Sequence, residues 1–174
     1  MDFLTTHARN VEEETEALVQ KVRATDSYVR EPLRKQLRKH REFLRANIEA
    51  RPTEVLSLYG VDASRAELPD TGAIRDRAIA RLDALGLDIR ANRPEAVVEF
   101  LRDNAAVIRA GIELCAQVRA RNAESLSSAE AQTALAADTA FHLHRYIVEM
   151  LKRIFDGFAP RTAESFKPGV AAFP

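Results

Sequence analysis

The chain has 174 residues and no formal net charge, with 26 basic and 26 acidic side chains. A domain of this length can bury a substantial core, and the balanced charge gives no reason to expect a nucleic acid or an anionic membrane as the partner. Alanine and arginine dominate the composition, with 29 and 21 residues, whereas glycine is scarce and tryptophan is absent. Because both abundant residue types favour helices, the composition predicts an all-α fold.

Sequence features also point to a cytoplasmic protein. The N-terminus has no basic segment followed by an apolar run, so no secretory signal is predicted. No apolar stretch reaches the roughly 18 residues of a transmembrane helix. The single Cys115 excludes an intramolecular disulfide and gives no basis for a cysteine-based zinc site. We therefore expect a cytoplasmic location, no membrane contact, no cofactor and a buried Cys115.

Two amphipathic helices are predicted in the first fifty residues. Residues 5–24 carry apolar side chains at every third or fourth position, which forms a narrow helical stripe. A second helix is predicted over 30–50, because Pro32 is tolerated only in a first turn and Pro52 follows the last residues. The apolar stripe continues in phase from the first helix into the second, so one kinked helix is the alternative.

The middle of the chain is predicted to contain a short helix and a longer one. Residues 53–59 have helical periodicity that Gly60 ends, and the residues after it have the composition of a loop. Apolar residues then recur in phase over 71–85. Gly86 follows them directly, in the position of a C-terminal stop.

The two most apolar helices are predicted in the second half of the chain. One begins at an Asn92 cap and runs to about residue 122, and its two apolar stripes indicate neighbours on two sides. We therefore expect it to be the central helix. The last helix runs over 128–156 and opens with a capping box formed by Ser127 and Glu130.

These elements predict an antiparallel helical bundle of four to five main helices over residues 1–157, with an extended tail over 158–174. The proline-containing tail cannot be one helix, yet it carries three of the eight phenylalanines of the chain: Phe158, Phe166 and Phe173. Disordered tails are usually poor in aromatic residues. We therefore expect the tail to dock, either on a neighbouring chain or on the end of the bundle.

One face of the predicted second helix is basic. Four arginines, here named the arginine row, follow one another at spacings of four, three and four residues: Arg34, Arg38, Arg41 and Arg45. This spacing lines them up on one side of a helix, where they could contact phosphates of a nucleic acid. No aromatic residue interleaves the row, which argues against single-stranded nucleic acid. The alternative is a solvated face, or one paired with the acidic first helix.

The other polar constellations do not satisfy the requirements of an enzyme. Arg34 and His40 have the spacing used by HEPN-type ribonucleases, but the residue after Arg34 departs from that pattern, and we assign no family. Asp138 and His142, one turn apart, could chelate a metal, but no other helix supplies a third ligand. We therefore expect this pair on an exposed polar face, and His144 at the boundary of the core.

The sequence predicts a non-enzymatic interaction or structural protein. It would form a homo-oligomer or belong to a larger assembly, such as a virion or a secretion apparatus, with the phenylalanine-containing tail as its docking arm. The first alternative is a ligand- or metal-binding helical enzyme with its site between helices. The second is a nucleic-acid-binding protein that uses the arginine row.

Overall fold

The computed structural model describes residues 3–25, 27–90, 93 and 95–156. This part of the chain forms an all-α structure without a β-sheet, as the composition predicts. The six helices are α1 (Phe3–Ala24), α2 (Ser27–Asn47), α3 (Pro52–Leu58), α4 (Thr71–Arg90), α5 (Glu95–Ala120) and α6 (Ser128–Phe155). Five of them are long, and only α3 is short.

Helices α5 and α6 form the centre of the bundle and run antiparallel. They approach closely at Gly111, where an added Cβ atom would collide with the Cβ of Ala137. The Tyr59 hydroxyl donates a hydrogen bond of 3.1 Å to the Gly111 carbonyl, which attaches the end of α3 to the same point. The predicted capping box at Ser127 and Glu130 is present at the start of α6. The structure thus confirms the central position of α5 and the buried Cys115.

Helix α1 lies antiparallel to α5 and is joined to it by ion pairs. From one end of the contact to the other, the pairs are Glu12–Arg109 at 2.6 Å, Glu16–Arg102 at 2.9 Å and Arg23–Glu95 at 2.9 Å. Lys152 of α6 pairs with Glu14. The acidic residues of α1 are therefore matched by α5 and α6. They do not neutralise the arginine row of α2, which was one alternative at the sequence level.

The apolar core divides into two clusters along the bundle. One cluster joins α1, α2 and α4 to the first half of α5 and the second half of α6, and it includes the fully buried Leu33 and Leu101. The other joins α3 to the second half of α5 and the first half of α6, and it includes Leu56 and Leu135. Helix α2 packs against both α4 and α6.

Gly60 and Gly86 behave differently, although both were expected to end helices. Gly60 has a φ of +77°, which favours glycine, and it follows the end of α3 as predicted. The prediction that Gly86 ends its helix is wrong, because α4 continues to Arg90. Ile89 lies beyond Gly86 and is buried in the core. Burial of this side chain favours another turn of helix, which outweighs the local preference of glycine.

The first two helices are separate, and α2 begins earlier than expected. Helix α1 ends at Ala24 and α2 begins at Ser27, so Pro32 is the sixth residue of α2 and does not lie in its first turn. A proline at this position lacks the amide that the preceding turn would bind. The complete burial of Leu33 shows that packing holds the helix through the proline.

Several predicted features lie outside the described residues. They are the Asn92 cap, the stop at Gly157 and the whole tail over 158–174 with Phe158, Phe166 and Phe173. The division into a bundle over 1–157 and a tail therefore stays a prediction.

We predict that Gly111→Ala lowers the free energy of unfolding by about 1–3 kcal/mol, even though alanine favours helices more than glycine does. The added methyl group would overlap Ala137 and push α5 away from α6. Urea unfolding of the single variant and of the Gly111→Ala/Ala137→Gly double variant measures this. The double variant should recover most of the loss, and a single variant as stable as the parent would contradict the close packing.

Candidate interaction groove

Helices α2 and α4 border an open groove of about 540 Å³ on the surface. This volume is within the range of ligand and peptide pockets. The floor is apolar and comes from both helices, with Leu37 and Leu44 from α2 and Ile79 and Leu82 from α4. The rim carries the complete arginine row and one acidic residue, Asp83.

The local sequence explains why the arginines border this groove. On α2 the buried side chains recur on one side of the helix, while the arginine row lies about a quarter turn further round. An arginine stem can therefore lie against apolar surface while its guanidinium group stays in water. The row extends for about 16 Å along α2. The structure thus confirms that the four arginines share one face, and it places them in one groove.

The guanidinium groups differ in how they are paired. Arg34 binds Glu31 on its own helix, and this contact holds the pKa of Glu31 below its usual value. Arg41 and Arg45 share Asp83, at 3.1 and 3.5 Å, and Arg45 also pairs with Glu42 on its own helix at 3.5 Å. Arg38 makes no ion pair with any described residue. Because the existing pairs are solvent-exposed, each contributes little stability, and a carboxylate from another molecule can replace one.

The α4 side of the groove was missed at the sequence level. The residues concerned include Asp83, Gly86 and Leu87. Leu87 is 65% exposed, which is unusual for a large apolar side chain. Among the described residues, Leu68 is the other large apolar side chain that is exposed, at 47%. This side was missed because Gly86 was assigned as the end of the helix. The sequence signal that could have revealed it is Leu87, an apolar residue just beyond the in-phase apolar positions over 71–85.

A smaller depression lies between α1 and α5. Its charged side chains already pair with each other: Arg109 donates a hydrogen bond to Glu12, and Arg102 donates two to Glu16, from Nε and Nη2. The groove between α2 and α4 therefore offers the stronger combination of apolar surface and available charge.

The structure does not bring Arg34 and His40 together. Six residues along a helix correspond to about 120° around its axis. Arg34 lines the groove, whereas His40 is 2% exposed and its ring meets the edge of Tyr146 at 6.1 Å between centroids. The two side chains therefore lie on different sides of α2.

The expectation that Asp138 lies on an exposed face is wrong. Its side chain is fully buried on α6 and accepts no hydrogen bond from the described residues. His142 approaches it, with Nε2 at 3.5 Å from Oδ2. Tyr59 lies near enough for Asp138 and Cys115 to add to the rise in its pKa, which is caused mainly by burial. Among the described residues, no three His, Cys, Asp or Glu side chains are placed to hold a metal ion.

His144 is buried more deeply than the core boundary predicted for it. It is 3% exposed, and its Nε2 lies 3.4 Å from the Thr15 hydroxyl of α1. Burial lowers the pKa of His144 to about 4; the Lys152 charge lowers the pKa slightly further, and the Glu14 carboxylate opposes the shift. The folded protein therefore holds this imidazole in its neutral form at neutral pH.

We predict that the buried His144 makes folding sensitive to mild acid. Its pKa is lower in the folded state than the ordinary 6.5, so the unfolded chain binds the proton more readily. The stabilisation is complete above about pH 6.5 and is lost as the pH falls towards 4, with about 2 kcal/mol lost between pH 7 and 5. In urea unfolding, the free energy of unfolding should differ less between these two pH values for His144→Gln than for the parent protein. Equal differences in parent and variant would contradict this.

Comparisons with known proteins supply no relative. No protein family, curated protein or solved structure matches the chain. None of the helices in the described part of the chain combines the length and apolar character that crossing a bilayer requires. The groove between α2 and α4 is therefore the feature that bears most directly on function.

Proposed function

We propose that this protein is a non-enzymatic interaction protein that binds an acidic, amphipathic segment of a partner protein in the groove between α2 and α4. The observation that carries the proposal is the combination of an apolar floor with the arginine row at one site. An amphipathic segment places apolar side chains on the floor and carboxylates beside the guanidinium groups.

The charge of the rim favours an acidic occupant. Four guanidinium groups stand against Asp83 as the single carboxylate that lines the groove. Arg38 has no carboxylate within ion-pair distance among the described residues. Arg41 pairs with Asp83, and Arg45 pairs with Asp83 and with Glu42 on its own helix. Guanidinium groups bind carboxylates with two parallel hydrogen bonds where the geometry allows it. A partner that supplies carboxylates would therefore complete the pairing.

The apolar floor favours a protein segment over a nucleic acid. A phosphate backbone needs cations and hydrogen-bond donors, and it leaves an apolar floor without a complementary group. Single strands use aromatic side chains for stacking, and no aromatic residue lines this groove. Apolar side chains such as leucine fill such a floor and gain free energy by leaving water.

The described polar clusters support a binding role more than catalysis. Asp138 and His142 lie together on α6, and among the described residues no third His, Cys, Asp or Glu is placed to complete a metal site with them. His40 and His144 are buried among core side chains. The groove has no histidine in its lining, and its only titratable carboxylate is bound to two arginines.

We predict that Arg38→Glu weakens binding of an acidic amphipathic peptide about tenfold, which corresponds to about 1.4 kcal/mol. The probe is a labelled peptide of about 18 residues, or five helical turns, with leucines on one face and glutamates beside them. Fluorescence anisotropy measures its affinity, which should fall with added salt. Lys39→Glu is the matched control, because it makes the same charge change on the exposed side of α2, outside the groove.

Three results would contradict the proposed function. The acidic peptide and a peptide with lysine in place of each glutamate could bind equally well. The Lys39→Glu variant could lose as much affinity as Arg38→Glu. A single-stranded oligonucleotide could bind more tightly than the acidic peptide and lose affinity in Arg38→Glu, and this result would favour the nucleic-acid alternative.

We predict that Asp83→Asn strengthens binding of the same acidic peptide several-fold. Asp83 competes with the peptide for Arg41 and Arg45. The neutral amide removes this competitor, which leaves Arg41 without an ion pair and Arg45 with Glu42 alone among the described residues. Asp76→Asn is the matched control, because Asp76 lies on the same helix, pairs with Arg75 and does not line the groove. Equal effects of the two variants, or weaker binding by Asp83→Asn, would show that Asp83 is not a competitor.

The earlier expectations about assembly stay predictions. They are a homo-oligomer or larger assembly, a docking role for the tail over 158–174, and a cytoplasmic location. Besides the tail, the groove is a second candidate binding surface, and all of its lining residues are described ones.

A further inference from the structure

We infer that the occupant of the groove is an α-helix that lies along α2 and passes close to the backbone of α4 at Gly86. This inference rests on the proposed function, because it specifies the form of the acidic segment and where it contacts the groove. It is carried by Gly86, by Leu87 and by the spacing of the arginine row.

No contact within the described part of the chain explains why residue 86 is a glycine. A glycine inside a helix is less stable than alanine at the same place, and the backbone of Gly86 is not in the left-handed region. A Cβ atom built at Gly86 would meet nothing within 4 Å. At Gly111, in contrast, the same atom would collide with Ala137. Gly111 therefore serves packing between two helices of the chain, whereas the space above Gly86 opens into the groove.

An approaching backbone would explain this space. Gly86 and Leu87 are neighbours on the groove wall, and Leu87 is 65% exposed. Small residues let two helices approach closely, and a large neighbouring side chain then packs against the second helix. The absence of a side chain at Gly86 and the exposure of Leu87 are both explained if one helix occupies the groove.

The arginine row indicates how that helix is oriented. Spacings of four, three and four residues keep side chains on one line along a helix, as at the charged flanking positions of a coiled coil. A helix lying lengthwise along α2 can present carboxylates at the same spacing and meet successive arginines. An extended segment has a repeat of two residues and would meet them irregularly. The described residues also contain no sheet edge to which a strand could be added.

The test uses the acidic peptide and fluorescence anisotropy with full-length protein. A leucine at residue 86 should fill the groove, so Gly86→Leu is expected to weaken binding at least tenfold. Ala84→Leu is the matched control on an exposed position of α4 outside the groove lining, and it should bind as the parent does. A peptide of the same composition with a central proline, which interrupts a helix, should bind at least tenfold more weakly.

Thermal unfolding shows whether the substitutions leave the fold intact. Gly86→Ala should melt a few degrees above the parent, because a methyl group there meets no atom and favours the helix. A lower melting temperature would show that Gly86 is needed within the chain and would overturn the inference. Equal binding by Gly86→Leu and parent, or by the helical and proline-containing peptides, would also overturn it. If the parent binds no acidic peptide at all, the proposed function itself fails.

Discussion

The close contact between α5 and α6 is the constraint on which the remaining structure depends. Gly111 lets the two backbones approach at Ala137, and the Tyr59 hydroxyl fixes the end of α3 at the same carbonyl. The two apolar clusters are built on the two halves of this pair. Helices α2 and α4 pack on one half of this pair, and the groove lies on the surface between them. The position of the candidate site is thus a consequence of how the central pair is packed.

Charge is distributed so that the groove keeps its positive rim. The acidic side of α1 is matched by Arg102 and Arg109 of α5 and by Lys152 of α6, so it does not reach the arginine row. The arginines of α2 have only nearby carboxylates on α2 itself and Asp83 on α4. A chain with no net charge therefore carries a locally basic site. Net charge describes the whole molecule, whereas recognition depends on local charge.

Helix periodicity was sufficient to predict the helices, the capping box and the shared face of the arginine row, because these depend on residues close in sequence. The predictions that failed depend on distant contacts. Gly86 was assigned as a stop because local preference favours it, but burial of Ile89 continues the helix. Asp138 was placed on an exposed polar face because it lies one turn from His142, yet its side chain is fully buried. The groove could not be predicted, since no pattern in α2 specifies that α4 lies beside it.

The central claim is that the groove between α2 and α4 is the binding surface, and methyl NMR of the full-length protein tests it most directly. The acidic peptide is added to protein with labelled leucine and isoleucine methyl groups. The account predicts that the signals of Leu87, Leu37 and Ile79 shift with one common affinity, while the exposed Leu68 stays unchanged. Shifts confined to other parts of the bundle, or no shift at any groove residue, would contradict the account.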